Sequence, residues 1–261
     1  MNPFQIDGPA VISFSGGRTS GYMLRRILDE GLRPDVHIVY ANTGKERLET
    51  LDFIDEVSRR WGVVVRWVEW MPDAPKFKEV TYATAARLGE PFEALITSKQ
   101  MLPNPVMRYC TQHLKIDAKK RFIEQVLGLS DYTNALGIRH DEPRRWRILG
   151  QDERNSHEFK VGPLVDAGVT KAMVNAYWAA SPFDLGLRQD EGNCDLCFLK
   201  GLKKKVQIVR DRPDLAVWWI AQEQRRSGWF RKDHPSYGAM VAQPDLFKDG
   251  QADELSCYCE D

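Results

Sequence analysis

The chain has 261 residues, with 37 basic and 37 acidic side chains, so its formal net charge is zero. That balance argues against a protein that coats nucleic acid through bulk electrostatics, and no apolar run approaches the ~20 residues needed to span a bilayer. The length suffices for one large domain, or a domain with an appendage, around a proper core. The start MNPFQIDG lacks a basic-then-apolar leader pattern, which sets the expectation of a cytoplasmic protein with no membrane partner. In that reducing setting the five cysteines are read first for metal or redox chemistry.

In chain order, Ala10 to Phe14 predicts a buried strand that breaks into Ser15, Gly16 and Gly17 and then a helix from Thr19. Adjacent glycines let backbone amides approach an anion without a Cβ in the way. The helix start adds unpaired N–H groups and the positive end of its dipole. Ser15, Thr19 and Ser20 add hydroxyl donors, so the turn reads as a phosphate cradle, with a ligand-free Gly-Gly turn as the plain alternative. Its spacing fits neither GxxxxGK(S/T) nor GxGxxG.

Met23, Leu24, Ile27 and Leu28 mark one helix face, stopped at Gly31. A second strand is predicted over Val36 to Tyr40, running into Asn42, Thr43 and Gly44. A helix bearing Leu48, Leu51, Ile54 and Val57 follows, then a third strand over Val63 to Val68. Prolines at 72, 75, 91, 103 and 105 make residues 71–108 read as a long irregular excursion. A helix with Ile116, Phe122, Ile123, Val126 and Leu127 leads to a fourth strand at Tyr132 to Ile138. Beyond Gly150 the pattern is mostly helical, with Thr170 as an N-cap and Pro213 in a first turn. Trp178, Trp218 and Trp219 stand at helical spacing and read as core. Strands alternating with amphipathic helices predict an α/β fold: a doubly wound, mainly parallel sheet with helices on both faces, plus a mostly helical C-terminal region. Ligands then sit beyond the carboxyl ends of the strands.

Five segments in register resemble the phosphoadenosine phosphosulfate (PAPS) reductase family. They are Ser15 to Ser20; Asn42-Thr43-Gly44 with Glu49-Thr50; Arg108 to Thr111 with Lys115; Gly137 to Glu142; and Cys194-Asp195-Leu196-Cys197. That family is similar to the adenine nucleotide α-hydrolases, also called ATP pyrophosphatases or PP-loop proteins. The resemblance implies an adenine-nucleotide domain over residues 1–165 and a helical region over 166–261. It implies ATP or PAPS as the bound nucleotide. Ser15, Gly16, Gly17, Arg18, Thr19 and Ser20 would hold the phosphates, Asn42, Thr43 and Gly44 would line the adenosine pocket, and Lys115 would join them. Arg139 would cap the phosphate or sulfate end and act in catalysis through its bidentate fork. Thr19 stands where ATP pyrophosphatases carry an aspartate that helps place magnesium, so magnesium is an open part of the expectation.

In cluster-bearing relatives a mid-chain cysteine pair and a later CxxC hold a four-iron four-sulfur centre. Here Cys110, Cys194 and Cys197 match three of those positions, with Tyr109 at the fourth. Thiolates suit iron–sulfur clusters and zinc alike. Three alternatives stand at this point: such a cluster, zinc between Cys194-x-x-Cys197 and Cys257-x-Cys259, or ordinary reduced thiols. The leading expectation is cleavage or substitution next to the α-phosphate, linked to sulfur transfer or thiolation of an unidentified sulfur acceptor, with Cys257 or Cys259 as a persulfide carrier. Reduction of PAPS or adenylyl sulfate to sulfite, with those tail cysteines attacking sulfur and a thioredoxin-like reductant, is the sister expectation. A non-catalytic nucleotide- or nucleic-acid-binding module using Arg144, Arg145 and Arg147 with Lys203 to Lys205 is the third.

Overall fold

The computed structural model describes residues 2–150, 157–188 and 191–247. Five strands run parallel: β1 (Ala10–Ser13), β2 (Val36–Asn42), β3 (Val65–Trp70), β5 (Tyr132–Leu136) and β6 (Glu158–Val161). A sixth, β4 (Phe77–Val80), pairs antiparallel with β3, and the sheet order is β4-β3-β2-β1-β5-β6. This is the doubly wound, mainly parallel sheet expected from the sequence.

The helices cover both faces because successive strand residues point to opposite sides. Val11, Val39 and Val68 face one core layer, shared with Leu95, Phe122 and Trp219. Ile12, Ile38 and Tyr40 face the other, shared with Met23, Ile54 and Trp178. Two helices supply the second layer first: α1 (Arg18–Asp29) and α2 (Leu48–Trp61). The stripe Met23, Leu24 and Ile27 is buried, and α1 gives way at Glu30 to Gly31, whose φ of 93° takes the left-handed conformation. Leu51, Ile54 and Val57 of α2 are buried as expected, whereas Leu48 is exposed because it lies in the first turn, at the rim of a groove. Burial of each fully enclosed Ile, Leu or Phe contributes about 1.5–3 kcal/mol.

The excursion over residues 71–108 is more regular than its prolines suggest. It contains β4 and α3 (Glu90–Lys99), where Pro91 occupies the first turn of a helix, a position without a hydrogen bond to lose. The helix predicted around Ile116 begins as a π-helical turn, Thr111–Asp117, and continues as α4 (Ala118–Gln125). The fourth predicted strand is β5 and stops at Leu136. The basic run after it is helical, α5 (Pro143–Gly150). Beyond Gly150 the chain adds the strand β6 before its helices: α6 (Pro163–Asp166), α7 (Lys171–Ala180), α8 (Leu202–Asp211), α9 (Ala216–Arg226) and α10 (Tyr237–Ala242). Thr170 is the N-cap residue of α7, and Pro213 opens a single 3-10 turn ahead of α9.

From β1 the chain winds outward through β2 and β3, then returns to place β5 on the other flank of β1. The switch point is the carboxyl end of β1, where crossovers diverge and leave a crevice.

A candidate nucleotide site beside a thiol cavity

The carboxyl end of β1 carries the turn Ser15-Gly16-Gly17. Gly16 has φ 79°, and a Cβ there would lie 2.7 Å from Ile54 Cδ1 and 2.8 Å from Thr50 Cγ2, so both conformation and space demand glycine. Gly17 is the N-cap of α1 and supplies no side-chain cap, which leaves the helix's first N–H groups to a ligand. Ser20 Oγ binds the Ser15 hydroxyl at 2.8 Å, accepts from the Ser15 N–H at 3.2 Å and donates to the Gly17 carbonyl at 3.1 Å. These bonds fix the shape of the turn and engage the Ser15 N–H within it. Gly137, just past β5, lets the backbone pass so close that a Cβ would sit 3.0 Å from Ser20 Cα.

Between these segments lies a cavity of about 150 Å³, lined by Ser15, Ser20, Tyr40, Lys115, Lys119 and Gly137 among others. Arg145 of α5 also reaches it. Lys119 donates to Ser13 Oγ at 2.8 Å, and Ser13 donates on to Asn134 Oδ1 at 2.8 Å. Burial draws the Lys119 ammonium down to about 8, with the Glu158 carboxylate opposing and the Lys115 charge adding to the fall. Burial also holds the Tyr40 hydroxyl well above its ordinary range, with the electrostatic influence of nearby Glu46, Cys194 and Glu69 acting the same way, so it stays protonated.

Arg139 is buried beside the start of α1, donating to Thr19 Oγ1 at 3.1 Å and to Asp141 at 2.9 Å. A guanidinium against Thr19 disfavours a metal cation there, so the residues present do not form the magnesium corner of an ATP pyrophosphatase. Arg18 turns away from the cradle: its fork grips Asp184 at 2.7 and 2.5 Å and the Leu187 carbonyl at 2.6 Å. Asn42 is fully buried, with its amide donating to Glu69 at 2.7 Å and the Ala86 carbonyl at 2.9 Å while Oδ1 accepts from the Gly44 N–H at 3.2 Å. Its side chain shapes the turn. Thr43 is held by Glu46 through its N–H at 3.0 Å and its hydroxyl at 2.8 Å.

All three described cysteines, Cys110, Cys194 and Cys197, line one small cavity of about 30 Å³ with Thr43 and Lys115. The cavity is walled by Phe92, Leu114, Phe198 and Trp219. Residues 191–197 are pinned beside it. Glu46 and Cys194 form a β-bridge, Arg47 N–H donates to Asn193 O at 2.8 Å, and Lys45 pairs with Asp195 at 2.7 Å. Asn193 also reaches the cradle, donating to the Ser15 carbonyl at 2.8 Å. Thiols suit soft metals, but among the described residues no group of three or more His, Cys, Asp or Glu is arranged to hold a metal ion. Cys257 and Cys259 lie outside the described residues.

The profile of the phosphoadenosine phosphosulfate reductase domain matches residues 9–184, which include the cradle, Lys115 and Arg139. The chain belongs to the PAPS reductase family. It is 30% identical over 219 residues to the uncharacterised nin region protein ORF290 of Escherichia phage lambda, covering 78% of this chain and 71% of that one. It is 28% identical over 240 residues to the uncharacterised protein MJ0066 of Methanocaldococcus jannaschii, covering 87% of this chain but 45% of that relative. A crystal structure of PAPS reductase from Candida auris, in complex with phosphate, is similar at a TM-score of 0.44 and 16% identity, over 68% of this chain and 76% of that one.

Membership in the PAPS reductase family carries nucleotide binding at the family level, and the uncapped helix start with its open glycine turn fits a phosphate chain. Among the described residues no helix is long and apolar enough to cross a membrane. Ser15, Gly16, Gly17, Thr19, Ser20 and Arg139 come together at the switch point, and Lys115 joins them from the π-helical turn. Sequence reasoning missed Lys119, Asn193 and Glu46. Lys119 sits in the run Lys119-Lys120-Arg121, which reads as a solvated helix face, while Asn193 and Glu46 act through partners distant in sequence.

Proposed function

We propose that the chain is an enzyme that grips an adenine nucleotide at Ser15 to Ser20 and directs substitution next to its α-phosphate, with sulfur handled at the neighbouring thiol cavity. The observation that carries this reading is the position of Lys115. It lines both cavities, and its ammonium lies 4.0 Å from Cys194 Sγ and 3.6 Å from Glu46. In the first step the acceptor's nucleophile bonds to the α-phosphorus. The bridging P–O bond to the β-phosphate breaks, and pyrophosphate leaves with the electron pair. The outer sulfur of a persulfide supplied by an external sulfur donor then bonds to the activated acceptor, and AMP departs with the electron pair of the broken bond to oxygen. An external dithiol reductant supplies the two electrons that cleave the resulting S–S bond, leaving a thiol on the acceptor and a thiol on the donor. The loop amides, Lys115 and Lys119 balance charge on the phosphate oxygens, and Arg139 fixes the helix start through Thr19. Arg18 positions the cradle by anchoring α1 to Asp184, and Asn42 holds the turn after β2.

Anaerobically purified protein tests the reading when pyrophosphate from ATP and sulfite from PAPS are measured in one preparation, with iron, zinc and sulfide analysis alongside. Pyrophosphate that depends on an added acceptor is the expected outcome. Sulfite from PAPS with a thioredoxin-like reductant replaces it with the reductase reading. Salt-sensitive DNA or RNA binding without nucleotide turnover replaces it with a binding module.

A further inference from the structure

A second cavity of about 300 Å³ adjoins the nucleotide cavity, and the two share a wall made of Lys119, Leu136 and Leu149. Its other walls mix ammonium and amide groups, from Lys120, Lys160 and Gln112, with the apolar side chains Ile116 and Ile123. The two carboxylates on its lining are already engaged. Asp117 takes hydrogen bonds from Gln112 at 2.6 Å and pairs with His113 at 2.7 Å, and Glu158 accepts from the Asn134 amide. Lys120 also pairs with Glu124 at 3.7 Å, outside the lining, so among the described lining residues themselves three lysines stand against two acids around a space sized for a small organic molecule.

The nucleotide cavity imposes a second condition. Among the described residues lining it there is no Asp, Glu or His. The described lining residues thus offer a neutral alcohol or amine no carboxylate or imidazole to take its proton, and a nucleophile that arrives already ionised needs none. An anion with an apolar body satisfies both cavities at once.

We propose that this second cavity binds the acceptor, a small organic acid whose carboxylate is presented across Lys119 to the nucleotide's α-phosphorus. The inference rests on the nucleotide reading above and names the substrate class for it. A carboxylate oxygen bonds to phosphorus, the α–β bridging P–O bond breaks, and pyrophosphate carries away the electron pair. The product is a mixed carboxylic–phosphoric anhydride, and no proton moves. Lys119 steers the carboxylate while its hydrogen bond to Ser13 fixes the ammonium between the cavities. Lys120 and Lys160 supply the field that draws the anion in, and Ile116 and Ile123 take the hydrocarbon.

The test uses the full chain with benzoate as the probe, followed by saturation-transfer NMR, and ATP titrated by calorimetry on the same samples. Benzoate should bind the wild type, and the double variant Lys120→Ala with Lys160→Ala should weaken it at least tenfold while ATP affinity stays within twofold. Retained ATP binding shows that the variant is folded. ATP binding without benzoate binding in the wild type overturns the acceptor site and leaves the nucleotide reading standing. A double variant that loses affinity for PAPS more than for adenylyl sulfate overturns it as well, because the lysines then serve the nucleotide's extra phosphate. Folded wild type that binds neither ATP nor PAPS overturns the nucleotide reading and this inference together.

Discussion

One side-chain-free position and one ammonium set the chemistry at the scale of single residues. Gly16 has both a left-handed backbone and no room for a Cβ against Ile54 and Thr50. Gly16→Ala is therefore expected to cost about 1–3 kcal/mol of stability through strain and to weaken ATP binding at least tenfold, read by urea denaturation and calorimetry. Lys119 gives a pH signature. With its ammonium drawn down to about 8 against an ordinary 10.5, the folded state holds fewer protons than the unfolded chain between those values. Its burial penalty applies in full below about pH 8 and is relieved as pH rises toward 10.5. Wild-type stability should climb across that window relative to Lys119→Met, while nucleotide affinity, which uses the charged form, falls over the same range. Chemical denaturation and calorimetry at matched pH values check both signs. Glycines at a strand end announce themselves in a sequence, whereas Lys119 is one cation among three consecutive ones and only the fold sets it apart.

The segment 191–197 behaves as an element, although it forms no strand of its own. Asp195, almost wholly buried, pairs with Lys45 and accepts from Trp219 Nε1 at 2.9 Å. Asp195→Ala strands a buried ammonium and an indole N–H, for an expected loss of about 3–5 kcal/mol. Asp195→Asn keeps an acceptor for the indole and should cost less, a difference that urea midpoints resolve. The long periodic helices and β-branched strands were legible because their apolar residues recur at fixed spacing. The elements missed by sequence reasoning are short and polar: Phe77-Lys78-Glu79-Val80 lies at one sheet edge and Glu158-Phe159-Lys160-Val161 at the other. Edge strands carry charge on their open sides, which erases the apolar signal. Pro91 misled because a residue that breaks a helix interior is well suited to its first turn.

Across the whole molecule the cradle is tied to the chain's last third. Arg18 at the start of α1 grips Asp184, whose carboxyl, despite burial acting to raise it, lies below its ordinary 3.8 because of the Arg18 hydrogen bonds, nearby backbone N–H groups and the guanidinium charge. The stability this pair adds is present above pH 3.8 and is lost as pH falls through the lowered value. Asp184→Asn should therefore be less stable than the wild type at neutral pH, with the gap closing in strong acid, as denaturation midpoints measured from pH 7 to 2 would show. The parallel sheet and the family's five segments made this architecture readable in outline, but spacing along the chain says nothing about which distant loops meet.

Asn193 clasps the carbonyl of Ser15 across 178 positions of chain. A ribosome adding about 5–20 residues per second needs roughly ten to forty seconds to travel that distance. During translation the Ser15-Gly16-Gly17 turn therefore emerges early and waits for this distant partner. A nascent polypeptide halted before Asn193 would carry the glycines without the clasp.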